Sequence, residues 1–390
     1  SLIGHGTGVA LDSIEADVTV TGGGYTGGLV GYADAYADKN FTAAHCITRG
    51  SVTGSQIVGG IAAKPSNNYP QINDCHNYAT ITSTGSGRRC NAAGIWACDT
   101  NSAAGRFTGC TNNGTIKAYA CAAGIATAGY VTGCINYGSV TSTNFVAAGI
   151  SNNGNAVKCG NTGTITGYGE PTTEAHGVAG ITDFDKGASF CYNTGNVICT
   201  YNKNWAYGIA AGGAISNSFS YVTGKDIALA PNTLAEGNVI NSYYLASKKD
   251  AVSSAGEYAT LADFASGKVA WGVDGGTGAH KNYWTQDTQR GNNQLPAGPG
   301  RAYPKPIEDP NTEFSVYRAL VQYGTGGTAT LAANGHSSEN QENAVYGVRG
   351  TSVTVTATPK DDTFGLKSLT LDLMGTGSTT ALESGDSFTL

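Results

Sequence analysis

Cysteines recur in this chain at the same place of a degenerate repeat. Six of the ten cysteines lie 24 to 35 residues apart: Cys46, Cys75, Cys110, Cys134, Cys159 and Cys191. Most of them open the pattern C-x-N-x-G-x-[VI], and a Gly-Ile pair such as Gly124-Ile125 follows later in each unit. A period of roughly 20 to 50 residues is typical of stacked units rather than one globular core. The sequence therefore predicts about seven stacked units within residues 1–245.

Short runs between these marks alternate small polar with β-branched apolar residues. Examples are residues 80–82, 114–117 and 164–166. Such alternation is typical of short strands, and the glycines and asparagines between them leave no room for the helices of βαβ units. Stacked strands of this length form parallel β-solenoids. We therefore expect a mainly β fold, with a right-handed parallel β-helix (solenoid) over residues 1–245.

An asparagine stands two residues after most of the repeated cysteines, at Asn77, Asn112, Asn136, Asn161 and Asn193. In stacked units these side chains would lie above one another, about 4.8 Å apart. Amide side chains at that spacing can hydrogen-bond to their copies above and below, and asparagine tolerates the backbone of a tight bend. The pattern predicts a structural asparagine ladder without a catalytic role.

The even number of cysteines suggests disulfides, but stacking argues against them on the ladder. Residues in register lie about 4.8 Å apart, beyond the roughly 3.5 to 4.5 Å between the Cβ atoms of a disulfide. We expect buried, reduced thiols instead. Four cysteines lie off the ladder, and a bridge among them stays open: Cys90, Cys98, Cys121 and Cys199. No paired ligand spacing such as C-x-x-C is present, so no metal and no cofactor are predicted.

Composition excludes several classes of function. The chain has 57 glycines and only 13% charged residues, with a net charge of -6. Without a basic cluster, no nucleic-acid partner is predicted. No apolar stretch approaches the roughly 18 residues of a membrane span, so no membrane insertion is predicted, and no pattern indicates oligomerisation.

Beyond residue 245 the repeat fades. A helical pattern runs from about residue 260 to 271 with Thr260 available as N-cap, and a Gly- and Pro-rich connector follows. We predict a helical cap and connector over residues 246–312 and a small β domain over residues 313–390. Because residues 2–5 match residues 29–32 of a repeat, the chain is expected to be a fragment of a larger protein.

The repeats resemble the GLUG-motif family of bacterial surface proteins, whose signature appears as Gly28-Leu29-Val30-Gly31. Residues 350–359 and 366–369 are similar to bacterial β repeat domains found beside adhesin and internalin-type modules. The resemblance implies a secreted, extracellular protein of the bacterial cell surface or cell wall. GLUG repeats also accompany immunoglobulin-cleaving metallopeptidases, but the H-E-x-x-H motif of those enzymes is missing here.

Insertions between the repeats carry aromatic and basic residues. The longest span residues 62–74, 96–109, 167–178 and 200–207. Aromatic and arginine side chains on exposed loops dominate protein interfaces, and aromatic rings stack on sugars. The predicted ligand-binding residues are Trp96, Arg106, Tyr168, His176, Tyr201, Trp205 and Tyr207, with Tyr69 as a companion. We expect a non-catalytic binding module of an adhesin-like protein, engaging a host glycan or glycoprotein such as mucin or immunoglobulin.

Two alternatives stay open. A structural spacer needs no site and would lack an aromatic patch on one side. A polysaccharide lyase or glycosidase needs clustered carboxylates, and the best group is Asp183, Asp185 and Lys186. Other members of that group would come from nearby loops: Arg88, Arg89, Glu170 and Glu174. We interpret the group as a solvated loop and assign no catalytic residue.

Overall fold

The computed structural model describes most of the chain and divides it into two compact units. The described residues are 1–34, 40–64, 69–99, 105–169, 177–184, 186–235, 237–275, 283–286, 304–307, 316–340, 343–363, 369–373 and 378–390. The first unit is Ser1–Tyr258 and the second is Ala259–Leu390. The protein is mainly β, as the alternating pattern predicts, and the described part of the first unit contains four parallel sheets.

Sheets 1 and 2 each take one short strand from successive repeats. Sheet 1 contains Ile3–Thr7, Val30–Asp34, Ala62–Lys64, Trp96–Cys98, Ala126–Ala128 and Ser151–Asn153. Sheet 2 contains Ala10–Asp12, Thr42–Ala44, Gln71–Asn73, Arg106–Thr108, Tyr130–Thr132, Ala156–Val157, Ala188–Ser189, Ile215–Ser216 and Val239–Ile240. Neighbouring strands run parallel and in register, for example with Ile72 opposite Phe107.

Sheet 3 starts with two long strands and then divides into two branches. The long strands are Glu15–Thr21 and Ile47–Gly54. One branch contains His76–Asn77, Thr111–Asn112, Ile135–Asn136, Gly160–Asn161, Tyr192–Asn193, Phe219–Ser220, Tyr243–Leu245 and Glu257–Ala259. The other contains Thr80–Ser83, Ile116–Ala118, Val140–Ser142, Ile165–Gly167 and Val197–Cys199. The division reflects the bend at each C-x-N-x-G pattern.

Sheet 4 holds the strands that precede the Gly-Ile pairs. They are Tyr25–Gly27, Ile57–Gly59, Ala92–Ala93, Ala122–Ala123, Ala147–Ala148, Val178–Ala179 and Ala206–Tyr207. In the central repeats the chain passes through sheet 2, both branches of sheet 3, sheet 4 and then sheet 1. The largest apolar cluster of the interior contains the repeated cysteines and isoleucines, and the next contains residues such as Val52, Ile81 and Ile116. Smaller clusters lie around Ile57 and around Tyr207.

The predicted asparagine ladder is confirmed. All five asparagines are fully buried. Each Nδ2 donates to the Oδ1 of the next asparagine at 2.7 Å, from Asn77 through to Asn193. Each Nδ2 also donates to the carbonyl two residues further along its own strand, as in Asn136 to Gly138 at 2.8 Å. Since buried amides need partners, the ladder satisfies a row of polar groups that would otherwise destabilise the fold.

Glycines flank this ladder on both sides because no side chain fits there. In five Gly-Ile pairs, a Cβ on the glycine would lie 2.5–2.7 Å from an asparagine side chain and closer still to the carbonyl of the glycine in the next repeat. These glycines are Gly60, Gly94, Gly124, Gly149 and Gly180. The glycine of the C-x-N-x-G pattern meets the same limit, since a Cβ on Gly138 would lie 2.8 Å from Asn112 Nδ2. At both glycine positions of the repeat, the backbone therefore passes too close to the asparagine ladder to leave room for a side chain.

The repeated cysteines form a second buried column, which confirms their predicted burial. In alternate pairs a backbone N–H donates to the next thiol, as from Cys110 to Cys134 Sγ at 3.2 Å. All ten cysteines are buried thiols rather than disulfides, including the four that lie off the ladder. Burial raises the pKa of the Cys134 and Cys191 thiols well above the usual value. These side chains therefore pack as small apolar groups.

The second unit starts with two short helices rather than the one predicted over residues 260–271. They are Leu261–Ser266 and Lys268–Val273. Thr260 caps the first helix as predicted, with its hydroxyl accepting from Asp263 N at 3.1 Å. Gly267, at φ 93°, separates the two helices, because a left-handed residue ends the first one.

The strands of the second unit pair antiparallel. The pairs are Trp284–Gln286 with Pro304–Pro306, Val316–Leu320 with Ala344–Val348, and Leu369–Leu373 with Ser378–Leu382. A further sheet contains His336–Ser337, Gly327–Ala333, Ser352–Pro359 and Ser387–Thr389, and Ser338–Asn340 is a 3₁₀ turn. Ala270 packs with Val316, Ala344 and Tyr346, so the predicted helical segment and the C-terminal strands share a core.

Replacing Asn136 by alanine should destabilise the first unit by about 2–4 kcal/mol, because two ladder hydrogen bonds and one backbone hydrogen bond are lost inside the core. Urea unfolding followed by circular dichroism measures the change. The matched control is Asn113→Ala, at an exposed position of the preceding repeat, which should cost less than about 0.5 kcal/mol. Equal effects of the two substitutions would show that the ladder contributes little.

Gly124→Ala should cost on the order of 4 kcal/mol or prevent folding, because the new Cβ would meet Asn136 and the Gly149 carbonyl. Gly23→Ala is the control, since no atom lies within 4 Å of a Cβ there. Soluble yield and the thermal unfolding midpoint compare the two variants. A Gly124→Ala protein as stable as Gly23→Ala would contradict the close approach described above.

Candidate functional site

Two of the predicted ligand-binding residues lie in the core rather than on exposed loops. Trp96 is 2% exposed, pairs with Ala62 and Ala126 in sheet 1, and stacks its ring on Phe41 at 5.7 Å. Tyr207 is also 2% exposed, in the last described strand of sheet 4. Both residues were expected on exposed loops, and this expectation is wrong. Trp96 is the first residue of insertion 96–109 and Tyr207 the last of insertion 200–207, and each lies in a strand whose side chains are buried.

Arg106 and Tyr69 are exposed as predicted. Arg106 lies in sheet 2, in register between Gln71 and Tyr130. Tyr69 is 60% exposed. His176 lies outside the described residues.

Three predicted residues do come together. The ring centroids of Tyr168 and Tyr201 are 5.3 Å apart, and those of Tyr201 and Trp205 are 5.6 Å apart. The planes are tilted by 52° and 35°, within the range of favourable aromatic packing. Tyr201 is 48% exposed, and the other two side chains are half-buried. We call Tyr168, Tyr201 and Trp205 the aromatic row.

A short turn fixes the position of Trp205. Residues Lys203–Trp205 form a 3₁₀ turn. Asn202 caps its N-terminus, because the Asn202 Oδ1 accepts a hydrogen bond from Asn204 N at 3.0 Å. Trp205 N donates to the Asn202 carbonyl at 2.9 Å. The other end of the row is tied by a backbone bond from Tyr201 N to the Tyr168 carbonyl at 3.1 Å. The row is therefore built on hydrogen-bonded backbone.

The row meets a cleft of about 800 Å³ in the first unit through Trp205, whereas Tyr168 and Tyr201 are not among the described residues that line it. Its apolar floor consists of Val197, Cys199, Ala206, Tyr207, Ile227 and Ala228, each less than 9% exposed. Its polar rim consists of Asn202, Lys203, Asn204, Lys225, Asp226, Asn232 and Ser253. Trp205 lines the cleft directly. An apolar floor with a few polar groups around it is the usual construction of a small-molecule site.

Sequence reasoning missed the rim residues that come from later segments. Lys225, Asp226 and Asn232 lie more than 17 residues beyond Tyr207 and carry no motif. It also missed Tyr130, which is 50% exposed next to Arg106 in sheet 2. The period-2 alternation of residues 130–132 could have placed Tyr130 on the outer face.

Cys199 does not have the properties of a nucleophile. It is 5% exposed, and its Sγ donates to the Tyr168 carbonyl at 3.1 Å. Burial is the main cause that raises the pKa of this thiol. Since the thiolate is the reactive form, Cys199 acts as an apolar part of the cleft floor.

The carboxylate group considered for an enzyme is only partly described. Asp183 is fully buried, so the interpretation as a solvated loop is wrong for this residue. Its carbonyl accepts from Lys186 N at 3.2 Å, and the Lys186 carbonyl accepts from Thr182 Oγ1 at 2.9 Å. Asp185 lies outside the described residues, as do the suggested companions Glu170 and Glu174. The spacing argument for paired carboxylates is therefore not tested.

The two arginines suggested for that group have other contacts. Arg89 Nε lies 3.7 Å from Asp99 Oδ2, and the Arg88 guanidinium lies 6.0 Å from the centre of the Phe145 ring. Within the described ranges, no group of three or more His, Cys, Asp or Glu side chains could hold a metal ion. No helix among the described residues is long and apolar enough to cross a membrane.

Cys199 should react with iodoacetamide at pH 8 at least about tenfold more slowly in the folded protein than in the unfolded protein, because burial keeps the thiol protonated. Peptide mass spectrometry after timed quenching measures both rates. Rapid alkylation of Cys199 in the folded state would mean that this part of the cleft floor opens to solvent.

Comparisons with known proteins assign no function to the cleft, so its function is inferred from the residues that line it. No protein-family model, curated protein or solved structure matches the chain. The resemblance to GLUG-motif surface proteins therefore stays a prediction.

Proposed function

We propose that the protein is a non-catalytic binding module of a bacterial surface protein, which engages a host glycan or the glycan of a glycoprotein at this cleft. In this proposal the first unit is a right-handed parallel β-helix of the GLUG type. Its repeated sheets hold the aromatic row beside the cleft of about 800 Å³, and that juxtaposition is the observation that carries the function.

The chemistry of the cleft suits a saccharide. Sugar rings present C–H faces that pack on aromatic rings, and hydroxyl edges that need polar partners. Tyr201 and Trp205 supply adjacent rings, and the rim supplies the amides of Asn202, Asn204 and Asn232. The volume falls within the roughly 300–1,000 Å³ that small-molecule sites occupy, enough for two or three sugar rings.

The aromatic row also favours binding over the spacer role. A spacer has no need to hold rings from two successive insertions, 167–178 and 200–207, side by side at one cleft. Here Tyr168 comes from the first insertion, and Tyr201 and Trp205 come from the second. Extracellular location follows in the proposal from the resemblance to bacterial surface proteins, with mucin or immunoglobulin glycans as the host partners.

Tyr201→Ala should weaken glycan binding about tenfold, because one stacking ring is lost from the exposed side of the row. A glycan array, immobilised mucin, and immunoglobulin G before and after enzymatic removal of its glycans serve as probes. Affinities for the probes that bind are then measured by biolayer interferometry.

Tyr130→Ala is the matched control, because Tyr130 is 50% exposed and Tyr201 48%, but Tyr130 lies in sheet 2 and is not part of the aromatic row. Thermal unfolding checks that both variants remain folded. No binding to any probe would favour the spacer role, and equal loss in the two variants would remove the cleft from the proposal.

A further inference from the structure

The cleft carries positive charge on an acidic chain. Lys203 and Lys225 both line it, and both side chains are exposed at the rim. Asp226 is the only acidic residue among the lining residues that the structure describes. Two positive charges against one negative charge leave the lining at +1, whereas the whole chain has a net charge of -6. The charge of this cleft is therefore opposite in sign to that of the chain.

Asp226 has a structural role that occupies its carboxylate. Oδ1 accepts from the Ser247 backbone N–H, and Oδ2 accepts from the Ser247 hydroxyl at 2.8 Å. These bonds join two segments of the rim that lie 21 residues apart. The negative charge of Asp226 is thus already shared with two donors. Lys248 and Lys249, both exposed, directly follow Ser247 in the chain.

The two lysines and Trp205 of the aromatic row line the same cleft. Lys203 and Trp205 are the first and last residues of the same 3₁₀ turn, and both line the cleft. Lys225 stands next to Asp226 on the facing segment, which Ser247 holds in place. A ligand that stacks on Trp205 therefore occupies a cleft lined by two ammonium groups, one of them from the same turn.

We infer that the ligand of this cleft is an anionic saccharide, one that carries a carboxylate or a sulfate group. This inference rests on the proposed function and names its substrate class. Lys203 and Lys225 bind the acidic group, while Trp205 in the cleft and the neighbouring ring of Tyr201 stack on the sugar. Charge-assisted hydrogen bonds are about twice as strong as neutral ones, so the acidic group contributes selectivity over the same sugar without it. Lysine suits this role at an exposed rim because its ammonium adapts to different anion positions.

The test uses an array of matched glycans, in which each core is presented neutral, sulfated, and with a terminal sialic or uronic acid. The full chain is compared with the double variant Lys203→Gln/Lys225→Gln. Lys117→Gln is the control, because Lys117 is exposed in sheet 3 and does not line the cleft. Affinities of the array hits are repeated at about 50 and 300 mM salt, since exposed charge pairs are screened.

The inference expects acidic glycans to bind at least about tenfold more tightly than their neutral cores, with binding weakened by salt. The double variant should lose that preference while keeping the weaker affinity for the neutral core, and Lys117→Gln should keep both. The sulfated and carboxylated arms identify which anion is preferred. Equal binding of neutral and acidic members would overturn the inference and leave the proposed function standing. Binding of no glycan would overturn both.

Discussion

The buried asparagine ladder is the interaction on which the first unit depends. Its amides donate at 2.7 Å to the next asparagine in the column, so each repeat is held in register with its neighbours. The bonds form only if the backbone of the Gly-Ile turn approaches the amide, and this approach excludes any Cβ at that position. Register, bend and glycine placement are thus consequences of one polar column inside an apolar core.

The candidate site forms where this regular stacking ends. Asn193 is the last ladder asparagine, and Ser220 stands opposite it in the next repeat. Among the described residues, Ala206–Tyr207 is the last strand of sheet 4, and an isolated bridge joins Tyr207 to Ala228 beyond it. Because the following segment no longer supplies a strand, a cleft opens between the last strands and the residues around Lys225. The regular part of the fold therefore positions the aromatic row, and its interruption makes room beside it.

Part of the candidate site follows from sequence reasoning. Tyr168, Tyr201 and Trp205 were expected on insertions, and the structure brings them together. Trp96 was expected there too but is buried, since the start of its insertion is a strand of sheet 1. Lys225 could not be assigned, because nothing local marks a residue that faces a cleft formed by segments far away in the chain. Composition likewise gave no indication that a chain of net charge -6 has a basic cleft.

The sequence by itself determined the repeat: the mainly β fold, the asparagine ladder, the buried cysteines and the positions that only glycine can occupy. These features are local and periodic, so a pattern of residue types is enough to specify them. Only the tertiary structure decided which aromatic residues share a surface, which face the core, and which charges surround the cleft. Those properties depend on which insertions lie next to each other where the regular stacking ends. Because the insertions differ in length and do not repeat, the sequence pattern does not give their relative positions.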